Sequence, residues 1–435
     1  MKLCIIGTGY VGLVSGTCFA DLGNEVICVD NDHGKIENLK LGKISIYEQG
    51  LKELVIKNYS AKRLKFSTDL NNSIKKSDII FICVGTPTKK NGSEADISQV
   101  LKIAKNISSS VNKFKIIVTK STVPITTGDL IEKILSKKIN KKKFTVVSNP
   151  EFLREGDAIR DFKYPDRIVV GTNHKNANKI LKKLYNPLIS KGANYLQTSR
   201  RAAELIKYAS NAFLATKITF INEIADLCER TNINIEDISL GIGLDKRIGQ
   251  RFLRPGPGYG GSCFPKDTKA ILSIAKKFNT NLSIIKSVVK SNNDRSDSIL
   301  KRIFKILNHK ILNKKICFLG VTFKANTDDM RNSICLKLIP SLIKKGAIIK
   351  YYDPTGYKKE FKNFKNVLCS YNIISALENS DLIIVHTEWD EFKSFSFKQF
   401  LKSKKLVIFD LKNIYSQDQM IIKNLKYYSL GRKLN

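Results

Sequence analysis

Long apolar runs are missing from this chain: none reaches the roughly 18 to 20 residues that a bilayer crossing needs, so no membrane span is expected. Histidine is scarce. The four, His33, His174, His309 and His386, are scattered without metal-ligand spacing, which argues against a metal site. Cys-x-x-Cys pairs are absent among the nine cysteines. Most of these lie inside apolar runs, so all but Cys263 read as reduced core thiols of a cytoplasmic protein. Acid is short relative to base, 39 residues against 75, leaving a net charge of +36. A nucleic-acid partner is the tempting inference. Yet no zinc knuckle, RNA-binding aromatic motif or helix-turn-helix stands out. The lysines are spread in short runs such as Lys141-Lys142-Lys143, beside an abundance of Ile and Asn that fits compositional drift. The charge therefore reads as solvated surface rather than a nucleic-acid footprint. The first residues, Met1 to Ile6, open like a secretory signal but meet Gly7-Thr8-Gly9 at once, which fits a buried first strand better.

What is present suggests two or three domains, since 435 residues with 42% hydrophobic content exceed one ordinary core. Short apolar runs at Leu3–Ile6, Glu25–Val29, Asp78–Val84, Lys115–Thr119 and Phe144–Ser148 alternate with helical stretches. That pattern predicts a parallel, doubly wound sheet. From about Ser199 to Arg230 one helical segment runs without proline or glycine, and should bridge two domains. Asp245 to Asp267 is rich in Gly and Pro and predicts a structured loop. A second strand-helix alternation starts at Lys315–Leu319 and continues through Ile348–Tyr352, Asp381–Val385 and Leu406–Asp410. Both units begin strand-then-glycine, a hint of a distant repeat. The expected architecture is α/β: two Rossmann-like doubly wound parallel-sheet domains joined by a long central helix. The expected boundaries are 1–198, 199–300 and 301–435.

Gly7-Thr8-Gly9-Tyr10-Val11-Gly12 follows the first strand and opens a helix, which is G-x-G-x-x-G in its required context. Gly7 permits the tight turn, Gly9 lets backbone approach a pyrophosphate, and Gly12 allows close helix–strand packing. Asp30 ends the second strand, where a carboxylate can accept from both ribose hydroxyls and would repel a 2′-phosphate. NAD is thus expected over NADP. The alternative is a glycine turn in some other α/β protein.

Cys263 sits in Gly260-Gly261-Ser262-Cys263-Phe264-Pro265-Lys266-Asp267, where little side-chain cover is expected. A nearby cation such as Lys266 favours a thiolate. Lys207 and Asn211 lie four apart on the long helix, share one face, and can donate to a developing oxyanion. The plain alternative is a solvated Lys/Asn face. Glu151 and Glu155 flank a turn after a strand of the first domain, and could equally be ordinary acids at a helix start.

Together these segments resemble the UDP-glucose 6-dehydrogenase family in its bacterial form, over matching stretches from Lys2 to Arg432. The most specific are Asn149 to Gly156, Glu204 to Phe213, and Gly256 to Thr268. Related GDP-mannose and UDP-N-acetylmannosamine enzymes share the architecture. The latter usually carry histidine before the cysteine, where Ser262 stands here. Another nucleotide sugar, or a catalytically silent nucleotide-binding relative, is the alternative.

The resemblance implies NAD contacts at Gly7, Gly9, Tyr10, Val11, Gly12 and Asp30. It adds Lys35, Thr86, Thr122, Glu155, Lys266 and Arg331. It implies substrate contacts along Glu151, Phe152, Leu153, Arg154 and Glu155, and at Lys207, Asn211 and Arg247. The Phe252, Leu253, Arg254, Pro255 and Gly256 stretch, Gly260 and Lys324 complete that set. Arg247 would reach a neighbouring subunit's UDP-glucose, which makes a homodimer the expected unit. The implied chemistry is a four-electron oxidation of the sugar C6 alcohol by two NAD⁺ in turn, through a thiohemiacetal and a thioester on Cys263. Lys207 and Asn211 would stabilise the oxyanion, with water or Lys207 taking the first proton. Asp267, with Thr122 and Glu151, would position the hydrolytic water. The chain departs from the family pattern at Thr126, where glycine is usual, at Ala325 for proline, at Asn332 for glutamate, and at Lys412 for arginine. Lys412 cannot make a bidentate contact.

Overall fold

The computed structural model describes residues 1–89, 92–400 and 405–432. The chain folds as two compact units, Met1–Ser210 with Lys269–Thr280, and Asn211–Thr268 with Asn281–Asn435.

The first unit is built on eight strands: β1 (Lys2–Ile6), β2 (Glu25–Val29), β3 (Leu64–Ser67), β4 (Ile79–Ile82), β5 (Lys115–Thr119), β6 (Phe144–Ser148), β7 (Arg167–Gly171) and β8 (Asn194–Thr198). Their order is β3-β2-β1-β4-β5-β6-β7-β8. Ile79–Ile82 is buried on both faces, as a strand covered by helices on either side must be, and so reads as an unbroken apolar run. The chain reverses its direction of travel across the sheet between β1 and β4. In such sheets ligands bind in the crevice at the carboxyl ends of the strands on either side of that switch.

The second unit carries β9 (Lys315–Leu319), β10 (Ile348–Tyr352), β11 (Val367–Cys369), β12 (Leu382–Val385), β13 (Leu406–Asp410) and β14 (Leu425–Ser429), in the order β11-β10-β9-β12-β13-β14. That is the order of the first six strands again. The first turns correspond too. Gly7 N–H donates to Val29 at the end of β2 at 2.7 Å, and Gly320 N–H donates to Tyr352 at the end of β10 at 2.7 Å. The next residue is an aspartate in both: Asp30 accepts from Thr8, and Asp353 accepts from Val321 at 2.9 Å and from Thr322. The repeat hinted at by strand-then-glycine is real at the level of topology and turn.

The long helix runs Arg200–Thr231, within a residue or so of expectation. Some expectations need correction. β6 and β7 meet antiparallel through Ser148 and Gly171, so the first sheet is not wholly parallel. β3, β7, β8, β11 and β14 went unpredicted; Asn194–Thr198 is mostly exposed and lacks an apolar run. The Gly/Pro loop ends sooner than expected, because a helix spans Phe264–Lys277 and takes in Asp267. Cys369 is partly exposed, so Cys263 is not alone in being reachable.

Thr126 explains one departure from the family. It stands before the helix Thr127–Ser136 with φ of 77°, a left-handed conformation that a β-branched residue adopts at a cost. Its N–H and that of Gly128 donate, at 2.8 Å each, to the buried Glu204 carboxylate, which also accepts from Ser148 Oγ at 3.0 Å. Thr126→Gly is expected to stabilise the protein by about 1 kcal/mol, the size of that left-handed penalty. Urea denaturation reads this directly, and a lowered midpoint would show that the threonine side chain is worth more than its strain.

Candidate active site

The cofactor half lies in the first unit. Gly7 has φ of 97°, and a Cβ there would stand 2.9 Å from the Cys83 carbonyl oxygen. A Cβ on Gly12 would sit 1.8 Å from the Gly7 carbonyl oxygen, so helix and turn touch at that point. At Gly9 nothing lies within 4 Å of such a Cβ. This is the open approach a pyrophosphate needs. Helix Tyr10–Asp21 begins there without a side-chain cap, so its first-turn N–H groups face an anion unopposed. The turn fits NAD by shape.

Asp30 Oδ2 accepts from Thr8 N at 2.8 Å and Thr8 Oγ1 at 2.7 Å, with Lys35 Nζ at 3.5 Å. Burial would raise this carboxyl, but the Thr8 bonds and Lys35 outweigh it and hold the group below its ordinary value. In a dinucleotide fold a carboxylate at the end of the second strand meets the ribose, where its charge would disfavour a 2′-phosphate. Asp30→Asn is expected to narrow the preference for NAD⁺ over NADP⁺ by about 10²-fold in kcat/KM, since like-charge juxtaposition costs several kcal/mol. Equal kcat/KM for the two cofactors in the parent would remove the argument.

Thr86 and Thr122 sit beyond the carboxyl ends of β4 and β5, tied by a 2.7 Å bond from Thr86 Oγ1 to the Thr122 carbonyl. Val11 packs on the core. The Tyr10 hydroxyl donates to Glu48, a residue that sequence reasoning missed. Glu48 also accepts from Gly156 N at 2.8 Å and Ile159 N at 3.2 Å, so it fastens the glycine-loop helix to the segment after Glu155. An acid in an aperiodic stretch gives no sequence signal of such a role.

Also in the first unit, Lys207 Nζ pairs with Glu151 at 3.0 Å, both side chains only 5% exposed. The solvated-face alternative is thereby excluded for Lys207. Glu151 also accepts from Leu153 N at 2.6 Å. The Phe152 ring lies under the Arg167 guanidinium at 4.0 Å and near Lys207 Nζ at 5.3 Å, a contact between cations and a π-face. Arg154 is turned to Asp161, at 2.7 Å. A second missed residue is Lys120, whose ammonium is buried beside Asn149 Oδ1 at 3.3 Å and the Tyr185 hydroxyl at 3.5 Å. Burial pushes Lys120 down to about 8, against the opposing pull of Cys83 and Glu151. A lysine directly after an apolar strand was its only visible signal.

The thiol half lies in the second unit. Cys263 immediately precedes the helix Phe264–Lys277, and its carbonyl accepts from Asp267 N at 2.8 Å. A helix N-terminus stabilises a negative sulfur. The core thiols are the reverse case: burial pushes Cys18 and Cys83 up to about 12. Ser262 Oγ lies 3.5 Å from the Cys263 sulfur. Asn211 Nδ2 donates to Asp267 Oδ2 at 2.6 Å, and Lys266 Nζ pairs with Asp267 Oδ1 at 2.6 Å. Asp267 is fully buried, so it fixes both neighbours.

Around it, Gly260 approaches Asn332 so closely that a Cβ would stand 2.5 Å from that residue's carbonyl oxygen. Asn332 adopts φ of 52°, which asparagine tolerates, and donates to the Gly261 carbonyl at 3.2 Å. Lys412 lies beside Gly256 and pairs with Glu388 at 2.9 Å. Leu253 is a core residue, so only its backbone is available to a ligand. Phe252 has φ of 66° and its ring lies 6.4 Å from that of Phe264. Arg254 is exposed, Pro255 and Gly256 are buried, and Lys324 lies 5.8 Å from the Phe323 ring. Arg247 and Arg331 are exposed and pair with Asp245 at 2.6 Å and Asp329 at 2.8 Å. Among the described residues no group of three His, Cys, Asp or Glu could hold a metal ion. Nor is any described helix long and apolar enough to cross a membrane.

A doubly wound sheet with a dinucleotide turn, and a thiol at a helix N-terminus in the same chain, define an NAD-dependent oxidoreductase. The chain belongs to the UDP-glucose/GDP-mannose dehydrogenase family, whose NAD-binding, central and UDP-binding domain models match residues 1–189, 201–294 and 317–417. It is 45% identical over 435 residues to a UDP-glucose 6-dehydrogenase of Rhizobium meliloti (strain 1021), covering 99% of this chain and 100% of that one. It is 44% identical over 439 residues to a UDP-glucose 6-dehydrogenase of Rickettsia felis (strain ATCC VR-1525 / URRWXCal2), covering 100% and 97%. The solved structure of a UDP-glucose dehydrogenase from the hyperthermophilic archaeon Pyrobaculum islandicum matches with a TM-score of 0.90 and 32% identity, over 99% of this chain and 98% of that one.

Proposed function

We propose that this enzyme oxidises the C6 alcohol of UDP-glucose to the carboxylate of UDP-glucuronate, with Cys263 as a covalent carrier. The observation that carries the reading is Cys263 at a helix N-terminus, one turn from the Asn211–Asp267–Lys266 chain of hydrogen bonds. Two NAD⁺, when bound in turn, supply the acceptor for two hydrides; one water and one alcohol become a carboxylate and three protons.

The residues then divide the work. In the first oxidation the alcohol proton leaves to water, because the Glu151 ion pair favours Lys207 as an ammonium donor rather than a base. The Cys263 thiolate next adds to the aldehyde carbon: a C–S bond forms and the carbonyl π pair moves to oxygen. Lys207 and Asn211 donate to that oxygen. The adduct restores a C–H bond from which hydride can leave, and the second oxidation yields a thioester. Water then attacks the acyl carbon and the thiolate departs. Asp267, with Thr122 and Glu151 in support, positions that water. The glycine turn, Asp30 and Lys35 hold the cofactor, joined by Thr86, Glu155, Lys266 and Arg331. The sugar nucleotide meets Glu151 to Glu155, Phe252 to Gly256, Gly260 and Lys324.

The test is stoichiometry across a panel of nucleotide sugars. UDP-glucose should give two NADH and UDP-glucuronate, whereas one NADH per turnover or release of free aldehyde would sink the reading.

The functional segments are 1–198 for NAD, 199–300 for dimerisation and 301–435 for the UDP-sugar, a division that the ranges of the three family models support. Nine free cysteines suit the reducing cytoplasm. A homodimer is supported by Phe213, Phe220 and Leu227, which are 65%, 49% and 56% exposed and recur every seven residues on the long helix. That is the spacing of a helix–helix seam. Phe220→Glu is expected to convert dimer to monomer in sedimentation at micromolar concentration; a parent that sediments as a monomer would refute the assembly.

A further inference from the structure

The glycine-rich loop before Cys263 has no regular secondary structure from Phe252 to Gly260, yet its backbone is held at two points. At Gly256 the N–H donates to Asn222 Oδ1 at 2.8 Å, and the carbonyl accepts from Arg295 Nε at 3.2 Å. At Tyr259 the N–H donates to Asn292 Oδ1 at 2.9 Å, and the carbonyl accepts from Asn292 Nδ2 at 3.2 Å. Two residues therefore have both peptide groups captured by side chains, the job a neighbouring strand does in a sheet.

The capturing residues come from two long helices. Asn222 belongs to Arg200–Thr231, whereas Asn292 and Arg295 sit three apart, on one face of Ser283–Ile306. Asn222 and Arg295 are 4% and 5% exposed. Arg295 is itself held by Asp226 at 2.6 Å, and Asp226 is shared with Arg302 at 2.7 Å. Gly258 between the two points has φ of 103°, and a Cβ there would stand 2.7 Å from Asn292 Oδ1. The loop can lie this close to the helix only because that position is glycine.

We propose that Asn222, Asn292 and Arg295 are positioning residues for the sugar nucleotide: they set the backbone of the Phe252–Gly260 loop and thereby its fit to that ligand. The inference rests on the function proposed above. The dinucleotide turn belongs to the other unit and makes none of these contacts, and Lys266 and Arg331 lie outside the Phe252–Gly260 loop, so the expected effect falls on the sugar nucleotide.

Asn292→Ala is expected to raise the KM for UDP-glucose about tenfold, the factor that one or two lost hydrogen bonds bring, with the KM for NAD⁺ unchanged within about twofold. A merely structural role would lower the folded fraction, and hence kcat, without separating the two KM values. Both KM values unchanged, or both rising together, overturns the proposal. Should Asn292→Ala fail to fold, Asn222→Ala carries the same expectation. Asn222→Asp, which keeps an acceptor for Gly256 N–H, should recover most of the loss; no recovery overturns the clamp. A parent that makes no NADH from UDP-glucose would defeat the proposed function instead. The clamp is then read from calorimetric binding of UDP, weakened by Asn292→Ala if correct and unchanged if not.

Discussion

Cys263→Ser is expected to bind UDP-glucose and NAD⁺, complete one oxidation, and stop. Removing a nucleophile costs on the order of 10⁶ in turnover where that loss has been isolated. Serine recovers little of it, since an alkoxide forms far less readily than a thiolate at neutral pH. The helix N-terminus at residue 263 helps a sulfur anion much more than a hydroxyl whose proton it cannot remove. Aldehyde or a trapped adduct should accumulate on the enzyme. The measurement is a single turnover with UDP-glucose and with the synthetic C6 aldehyde, followed by NADH absorbance. A serine variant that oxidises the aldehyde at the parent rate would make Cys263 one more thiol in a loop, and the covalent mechanism would have to be abandoned.

Lys207→Ala should slow both oxidations, by roughly 10²- to 10³-fold, because the proposed mechanism has its ammonium stabilise developing charge on oxygen in each. The structure adds a complication. Glu151 is 5% exposed and would be left buried without its cation, which typically costs 3–5 kcal/mol of stability. A slow variant could then be merely a poorly folded one. The double variant Lys207→Ala with Glu151→Gln separates the two when the first hydride transfer is read in a single turnover, a step that precedes the hydrolysis Glu151 is proposed to support, since the neutral amide relieves the buried charge. It should regain much of the lost thermal stability while remaining slow. Recovery of rate along with stability would mean that Lys207 acts on the fold and not on the reaction.

Most strands legible in the sequence were unbroken apolar runs, although Arg167–Gly171 is as well buried and was missed, and Ile348–Tyr352 alternates between buried and part-exposed positions and was found. Ile79–Ile82 and Lys115–Thr119 announce themselves as apolar runs, whereas Asn194–Thr198 and Leu425–Ser429 are half exposed and carry polar residues throughout. The glycine turn, Asp30, Lys207 and Cys263 could be named beforehand because their chemistry depends on residue type at short spacing. Glu48, Lys120, Asn292 and Arg295 could not. Each acts on backbone or amide groups that lie 29 to 111 positions away in the chain, and such pairings exist only once the chain has folded. Thr126 lies between the two cases: its departure from glycine was visible, but the left-handed φ that makes it costly was not.

Asp30 serves two ends with one carboxylate, and that bears on how such a protein can change over generations. One oxygen of the group is committed to the backbone and hydroxyl of Thr8, as Asp353 is to Val321 and Thr322 in the other sheet. A lineage drifting towards the phosphorylated cofactor would have to give up the negative charge at the ribose edge. In the same step it would loosen the glycine turn that receives the pyrophosphate. The change in preference and the repair of the turn would therefore have to arrive together. Asp353 is committed on both oxygens as well, the second accepting from Thr355 N at 3.0 Å, so neither turn can lose its carboxylate without releasing backbone that it holds.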